Sequence, residues 1–248
     1  MKNLTTLLLL LTIFFNTKAQ TLIRNRCDNG SYGFKNNKDE VVIACKYDDV
    51  KDFNNGFARV ELDDKLGFID STGKEITPLK YTSSTDFGKS GRAVVAVKKK
   101  YGFIDGTGNE FVPLKYQDAH GYTGQFASIK WKGKWGFIDL TGKEITPFKY
   151  EAVWYFEDGY ALVRLSEKYT FIDETGKEIS AIKYDELWSF DEGRAAIKIG
   201  NKWGFMDETG NEVIPVQYEH VFSFSDGKAE VTLEGRKFFV DKAGVEVK

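Results

Sequence analysis

The sequence predicts an all-β tandem repeat array, and three observations predict it. The stretch Lys134-Trp135-Gly136-Phe137-Ile138-Asp139 recurs, whole or in part, beginning at Tyr32, Leu66, Tyr101, Trp135, Tyr169, Trp203 and about Lys237, in steps of 34 residues with one step of 35. Ahead of these copies lies a run in which apolar and polar residues alternate with a period of two, the mark of a half-buried strand. Between the runs, Gly, Asp, Asn and Pro fall at fixed offsets. Self-similarity at a fixed period of this size marks a repeat architecture, so the 248 residues read as one array of about seven copies rather than as two domains.

The array does not include the first residues. Lys2 precedes an apolar run from Leu7 to Phe15, and Thr17-Lys18-Ala19 sets small residues at the two positions that a signal peptidase inspects. Residues 1–19 therefore read as a secretory signal peptide, leaving 20–248 as the repeat domain. A membrane anchor needs roughly 20 apolar residues, about twice this run, and no comparable run follows in the mature chain. The expected location is outside the cytoplasm: periplasm, cell surface or medium. Export removes Lys2 and Lys18 and no acid, so the net charge of −2 becomes −4. The longest basic run, Lys98-Lys99-Lys100, sits at an expected hairpin tip, and no basic stripe suited to nucleic acid is present. Cys27 and Cys45, the two cysteines, both lie in the first and most degenerate copy. In an exported protein they suit a disulfide, which would close a loop of about 19 residues and contribute roughly 3 kcal/mol; two independent small residues are the alternative.

Each copy contains three strand-like runs. The first is the alternation, as in Ala127-Ile129-Trp131 or Ala195-Ile197-Ile199, with polar residues such as Ser128 and Lys130 between. Two connecting residues follow, among them Asp63-Asp64, Lys132-Gly133 and Glu234-Gly235, several suited to the positive φ of a two-residue hairpin turn. The second run is the Trp-Gly-Phe-Ile-Asp stretch, with Gly at 33, 67, 102, 136 and 204. A strand glycine weakens pairing, so its recurrence implies something packed closely over it, and a ring from the adjacent copy is the expected occupant. Asp-x-Thr-Gly-Lys-Glu comes next, as in Asp139 to Glu144. It suits a type I turn closed by a left-handed glycine, with the Asp side chain bonding backbone amides; a calcium loop would need several carboxylates at alternate positions. The third run, Glu-Ile-Thr-Pro, carries Pro78, Pro113, Pro147 or Pro215 at a strand edge or end and leads to Lys-Tyr, as at Lys149-Tyr150. About nine irregular residues then reach an Asp-Gly type turn such as Asp158-Gly159. The unit is a three-stranded antiparallel meander plus a long connection, and worn copies at both ends suit capping repeats.

Lys134 to Asp139, Lys202-Trp203-Gly204-Phe205-Met206-Asp207 and the trailing Gly-Lys-Glu-Ile-x-Pro-x-x-Tyr resemble the bacterial WG (KWG) repeat family over nearly all of residues 30–248. Only Trp135 and Trp203 keep the name-giving tryptophan; Tyr or Leu stands elsewhere. The resemblance implies an all-β repeat region, often exported, without assigned chemistry, and it supplies no catalytic residue.

Enzyme signatures are missing from the sequence itself. His120 and His220 occupy different positions within their copies, with no ligand pair at metal spacing. No nucleophile elbow or phosphate loop occurs. Asp70, Asp105, Asp139, Asp173, Asp207 and Asp241 form one column, which the repeat's own turn explains. We therefore expect no catalysis, cofactor or metal. One column in the long connections does vary: Lys51, Thr85, His120, Trp154, Trp188 and Phe222. His120, Trp154, Trp188 and Phe222 are the candidate binding residues, since aromatic anchors serve as interface hot spots and rings stack on sugars. The competing reading packs them against the preceding copy as core.

Propeller blades carry four strands over 40 or more residues, so an open, curved or superhelical array is favoured over a closed propeller. Functionally, the sequence points to a non-catalytic exported module that binds or scaffolds a protein or glycan partner. The alternatives are an exported glycan-acting hydrolase and a purely structural envelope protein.

Overall fold

The computed structural model describes residues 21–181 and 183–248. The expected signal peptide and Gln20 lie outside the described residues. Among the described residues there are 24 strands and no helix, and no helix is long and apolar enough to cross a membrane.

The strands form seven antiparallel sheets in chain order. We number the sheets by copy, with a central hairpin in each: Phe57–Leu62 with Lys65–Asp70 in sheet 2, Arg92–Val97 with Lys100–Asp105 in sheet 3, Phe126–Trp131 with Lys134–Asp139 in sheet 4, Tyr160–Leu165 with Lys168–Asp173 in sheet 5, Arg194–Ile199 with Lys202–Asp207 in sheet 6, and Lys228–Leu233 with Arg236–Asp241 in sheet 7. Sheet 1 is built from Ile23–Arg26, Tyr32–Lys35 and Val41–Tyr47. Hairpin turns with both central residues at positive φ link five of the six pairs, as at Asp63 (50°) and Asp64 (58°) or Lys132 (49°) and Gly133 (79°), while at Gly200-Asn201 only Gly200 (60°) takes it; both kinds of turn have a twist that matches flanking strands.

The sheets have three or four strands, and the irregular connection of the sequence reading supplies the first of them. In sheets 2, 3, 4 and 7 this first strand is two residues long, as at Ser83–Ser84, too short to show an alternation. In sheets 5 and 6 it extends over six residues, Ala152–Glu157 and Glu186–Asp191.

The outer strand depends on one residue. Where Ile43, Val112 or Ile214 stands before the proline position, the strand is continuous, at Val41–Tyr47, Val112–Tyr116 and Glu212–Tyr218. Where Thr77 or Thr146 stands there, its Oγ1 accepts the backbone N–H of Phe68 at 2.9 Å or Phe137 at 2.8 Å, and only isolated bridges remain, such as Leu66–Tyr81 and Trp135–Tyr150. A side-chain acceptor has replaced a ladder carbonyl, as hydroxyl residues tend to do.

The outer strand also accounts for the strand glycines. A Cβ on Gly33, Gly102 or Gly204 would meet the carbonyl oxygen of Ile43, Val112 or Ile214 at 2.3, 2.4 and 2.5 Å. On Gly67 or Gly136 it would meet the side chain of Leu79 at 3.0 Å or Phe148 at 3.1 Å. The expected occupant, a ring from the adjacent copy, is therefore corrected: the covering group is the following outer segment of the same copy, as a bulged strand over Gly33, Gly102 and Gly204 and as a side chain over Gly67 and Gly136.

Successive sheets are joined by rings. The Phe of each Trp-Gly-Phe stretch meets an aromatic residue from the first-strand segment of the next sheet: Phe34–Phe53 at 4.8 Å, Phe68–Phe87 at 5.0 Å, Phe103–Tyr122 at 5.2 Å, Phe137–Phe156 at 5.1 Å, Phe171–Phe190 at 4.8 Å and Phe205–Phe224 at 4.9 Å between centroids. Ala-x-Val or Ala-x-Ile of the alternation fills in beside them, giving six apolar clusters, one between each consecutive pair of sheets. A closed ring of seven sheets would need a seventh; among the described residues no cluster joins sheet 7 to sheet 1, as an open array requires.

Cys27 and Cys45 are joined by a disulfide, with Cα atoms 6.2 Å apart. It ties the chain just beyond the first strand to the outer strand of sheet 1.

Candidate functional site

The repeated polar residues are absorbed by the fold. Asp139 shows the turn: its Oδ1 accepts from Thr141 N–H at 2.8 Å, Thr141 Oγ1 at 2.6 Å and Lys143 N–H at 3.1 Å, and Gly142 takes φ 83°. Those bonds, the Thr141 hydroxyl foremost, hold the Asp139 carboxyl below the usual range. The Asp column is thus structural, as the sequence reading had it.

The Lys-Tyr pair and the Glu of Gly-Lys-Glu form a tie between copies that sequence reasoning missed. Tyr81 donates its hydroxyl to Glu110 at 2.9 Å, and Lys80 lies 2.7 Å from the same oxygen. Tyr150 and Lys149 hold Glu178 at 3.1 and 2.7 Å, and Tyr184 and Lys183 hold Glu212. The partners are 28 to 29 residues apart for the Tyr–Glu bonds, a spacing that signals a contact only once the sheets are known to stack. Burial pushes the phenols of Tyr81, Tyr150 and Tyr184 upward, and the adjacent carboxylates add to the shift.

This tie sets a pH dependence. Burial opposes the charge on Glu110, but hydrogen bonds from Lys80 and Tyr81 outweigh it and leave the carboxyl below its ordinary value. The Lys183 ammonium does the same for Glu212 despite burial. A carboxyl depressed in the folded state stabilises above the ordinary glutamate value, about 4.3, and that contribution is lost as pH falls through the folded value. Glu110→Gln with Glu212→Gln is therefore expected to cost about 1–2 kcal/mol at pH 7, with the gap to wild type closing on acidification in urea titrations. A gap unchanged at low pH would mean that the carboxylate charge plays no part.

The variable column stands apart. In sheets 5 and 6 the first strand pairs Val153 with Val163 and Phe156 with Ala161, and likewise Leu187 with Ile197 and Phe190 with Ala195. Two residues on the first strand thus oppose one on its partner, which is a β-bulge. The bulged residues are Trp154-Tyr155 and Trp188-Ser189. On the inward side Phe156 is buried and Phe190 partly buried between sheets, while Trp154, Tyr155 and Trp188 remain 43%, 61% and 38% exposed. The core reading of this column is therefore corrected. The rings that close the core are two residues further on, at 53, 87, 122, 156, 190 and 224.

Three of the four candidate rings lie over the Trp-Gly position of their own copy. His120 stacks on Trp135 at 4.6 Å, its Nδ1 2.9 Å from Ser128 Oγ. Trp154 is 6.0 Å from Tyr169, and Trp188 is 4.9 Å from Trp203. The structure brings Trp154 and Trp188 together around a groove of about 660 Å³ between sheets 5 and 6, and His120 and Trp154 around one of about 410 Å³ between sheets 4 and 5. Phe222, 60% exposed, lines neither. The larger groove is floored by Leu162, Phe171 and Phe190 and rimmed by Glu157, Asp158 and Asp191. These acids sit at the hairpin tips Asp158-Gly159 and Glu192-Gly193, whose residues take positive φ. Acid-rich tips distinguish copies 5 and 6, against Asn54-Asn55, Lys89-Ser90 and Thr123-Gly124 at the matching places in copies 2 to 4. That signal was legible in the sequence beside the tryptophans. Among the described residues no group of three His, Cys, Asp or Glu side chains is placed to hold a metal ion.

The sequence profile of the WG-containing repeat matches residues 32–65, 67–101, 101–135, 135–169, 169–203 and 203–236. The chain belongs to the WG-containing repeat family. Each matched repeat runs from about one WG position to the next and so spans the seam between two sheets, and the WG position itself is the shelf on which His120, Trp154 and Trp188 lie. No curated protein matches the WG-repeat chain. Solved structures similar to it include a eukaryotic initiation factor (10% identity over 92% of this chain and 73% of that one, TM-score 0.44) and Hsv2p of Kluyveromyces lactis (10% identity, 78% and 73%, TM-score 0.37). A third is the dihydro-heme d1 dehydrogenase NirN in complex with DHE, at 14% identity, 92% and 63% coverage and a TM-score of 0.35. Likenesses this weak say nothing of what the repeats bind.

Proposed function

We propose that this WG-repeat protein is a non-catalytic exported binding module that holds a protein or glycan partner on the face carrying His120, Trp154 and Trp188. One observation carries the reading: two bulged first strands present Trp154-Tyr155 and Trp188 to solvent around a single apolar-floored groove. Half-exposed tryptophans over a concave surface are what recognition sites use as anchors, and bulges recur where a strand must re-aim a side chain. The Cys27–Cys45 bond supports export, since disulfides persist in oxidising compartments. The exposure of Glu157, Asp158 and Asp191 weighs against a glycan hydrolase: its proton donor needs an apolar surrounding that raises the carboxyl pKa.

Trp154→Ala with Trp188→Ala tests the reading. The double variant is expected to lose capture of the partner taken by wild type from the native envelope fraction, while its melting temperature stays within about 4 °C, a shift worth about 1–2 kcal/mol at this size. Retained capture would rule out the groove; a large loss of stability would return the rings to a structural role.

A further inference from the structure

The larger groove also has a chemical character that selects among partners. Its rim carries three carboxylates, Glu157, Asp158 and Asp191, and no Lys or Arg lines it. None of the three belongs to an ion pair among the described residues, although sixteen such pairs occur elsewhere, and the neighbouring Glu192 is already held by Lys242 at 3.1 Å and by the Gly227 N–H at 3.0 Å. The rings show the same deficit. Of the five tryptophans, three carry a lysine ammonium over the ring: Lys115 on Trp131 at 5.7 Å, Lys130 on Trp135 at 5.5 Å and Lys198 on Trp203 at 5.0 Å. Among the described residues no cation lies over Trp154 or Trp188. The three indoles that carry a cation are buried or half-buried, whereas the two exposed ones border the acids of the groove instead.

From this charge complementarity we infer that the groove between sheets 5 and 6 takes a basic peptide segment, its Arg or Lys side chains laid over Trp154 and Trp188 and paired with Glu157, Asp158 and Asp191; this rests on the binding-module reading. An arginine serves both halves of the site, because its guanidinium stacks on indole faces and bonds carboxylates with two N–H groups. A neutral sugar would stack on the same rings and donate hydroxyls to the acids, but would leave their charge unneutralised.

The test uses the mature chain and a fluorescein-labelled peptide alternating Arg and Gly, with citrulline replacing Arg in the control and cellohexaose as the glycan arm. The Arg peptide is expected to bind, and its affinity to fall about tenfold or more between about 50 mM and about 0.5 M salt, as screening shortens the reach of exposed charges. The citrulline peptide is expected to bind about tenfold more weakly, having lost the cation that the rings and acids share. Glu157→Gln/Asp158→Asn/Asp191→Asn should weaken the Arg peptide to the level of the citrulline control. No binding of the Arg peptide, equal binding of the citrulline peptide, an unaffected carboxylate variant, or binding of cellohexaose instead would each overturn the inference. The citrulline and salt comparisons use wild type alone and stand even if a variant fails to fold. Partner capture lost in the double Trp variant but intact in the carboxylate variant would overturn the basic-peptide inference and leave the binding module standing; capture intact in both would overturn the two together.

Discussion

Phe87→Ala is expected to cost about 3–5 kcal/mol, the range for truncating a fully buried aromatic ring. Phe87 is 1% exposed and meets Phe57 at 4.4 Å and Phe68 at 5.0 Å, so it fills the seam between sheets 2 and 3 from the side of the later copy. The loss should also be local. In a stack where each unit touches only its neighbours, stability is a sum of unit and interface contributions, and one weakened seam divides the array. Hydrogen exchange should therefore quicken first in the strands Lys65–Asp70 and Arg92–Val97, while sheets 6 and 7 keep their protection. Uniform acceleration across all seven sheets would mean that the seams are not separable, and a cost near that of an exposed ring would remove this column from the core.

Gly210→Ala is expected to destabilise by about 2–5 kcal/mol, from left-handed backbone strain and forced displacement of a neighbour. Gly210 has φ 84°, and a Cβ there would sit 1.9 Å from the carbonyl oxygen of Ile179 in the preceding copy. Gly227→Ala separates the two causes: its φ is 78° but nothing lies within 4 Å of the added carbon, so only the conformational part, about 1–2 kcal/mol, should appear. Chemical denaturation of the two variants beside wild type measures the difference. Equal losses would show that the turn glycine is needed for its backbone angle alone and that the copies do not approach so closely.

Much of the fold was legible from the chain. Period, sheet order and hairpin turns follow from features confined to a few consecutive residues, such as Ala127 to Trp131 and Asp139 to Gly142. The fourth strand was not, because two residues such as Ser83-Ser84 leave no alternation to read. The inter-copy ties were hidden for a different reason. Lys149-Tyr150 and Glu178 look like two separate columns until the sheets are stacked, and Phe156 looks like a companion of Trp154 until the bulge turns one inward and the other outward.

By itself, the sequence determined the unit, its seven-fold recurrence, the turn chemistry of Asp139-Leu140-Thr141-Gly142 and the two copies that depart from the pattern at Trp154 and Trp188. Each of these depends on bonds within one copy, and a local pattern can encode a local interaction. Only the tertiary structure decided what covers Gly102 and Gly204, that Cys27 meets Cys45, that the seams number six, and that the odd residues of two separate copies border one groove. Those facts depend on how far one sheet turns and slides against the next, which is fixed by ring packing across the seam and is written in no single copy.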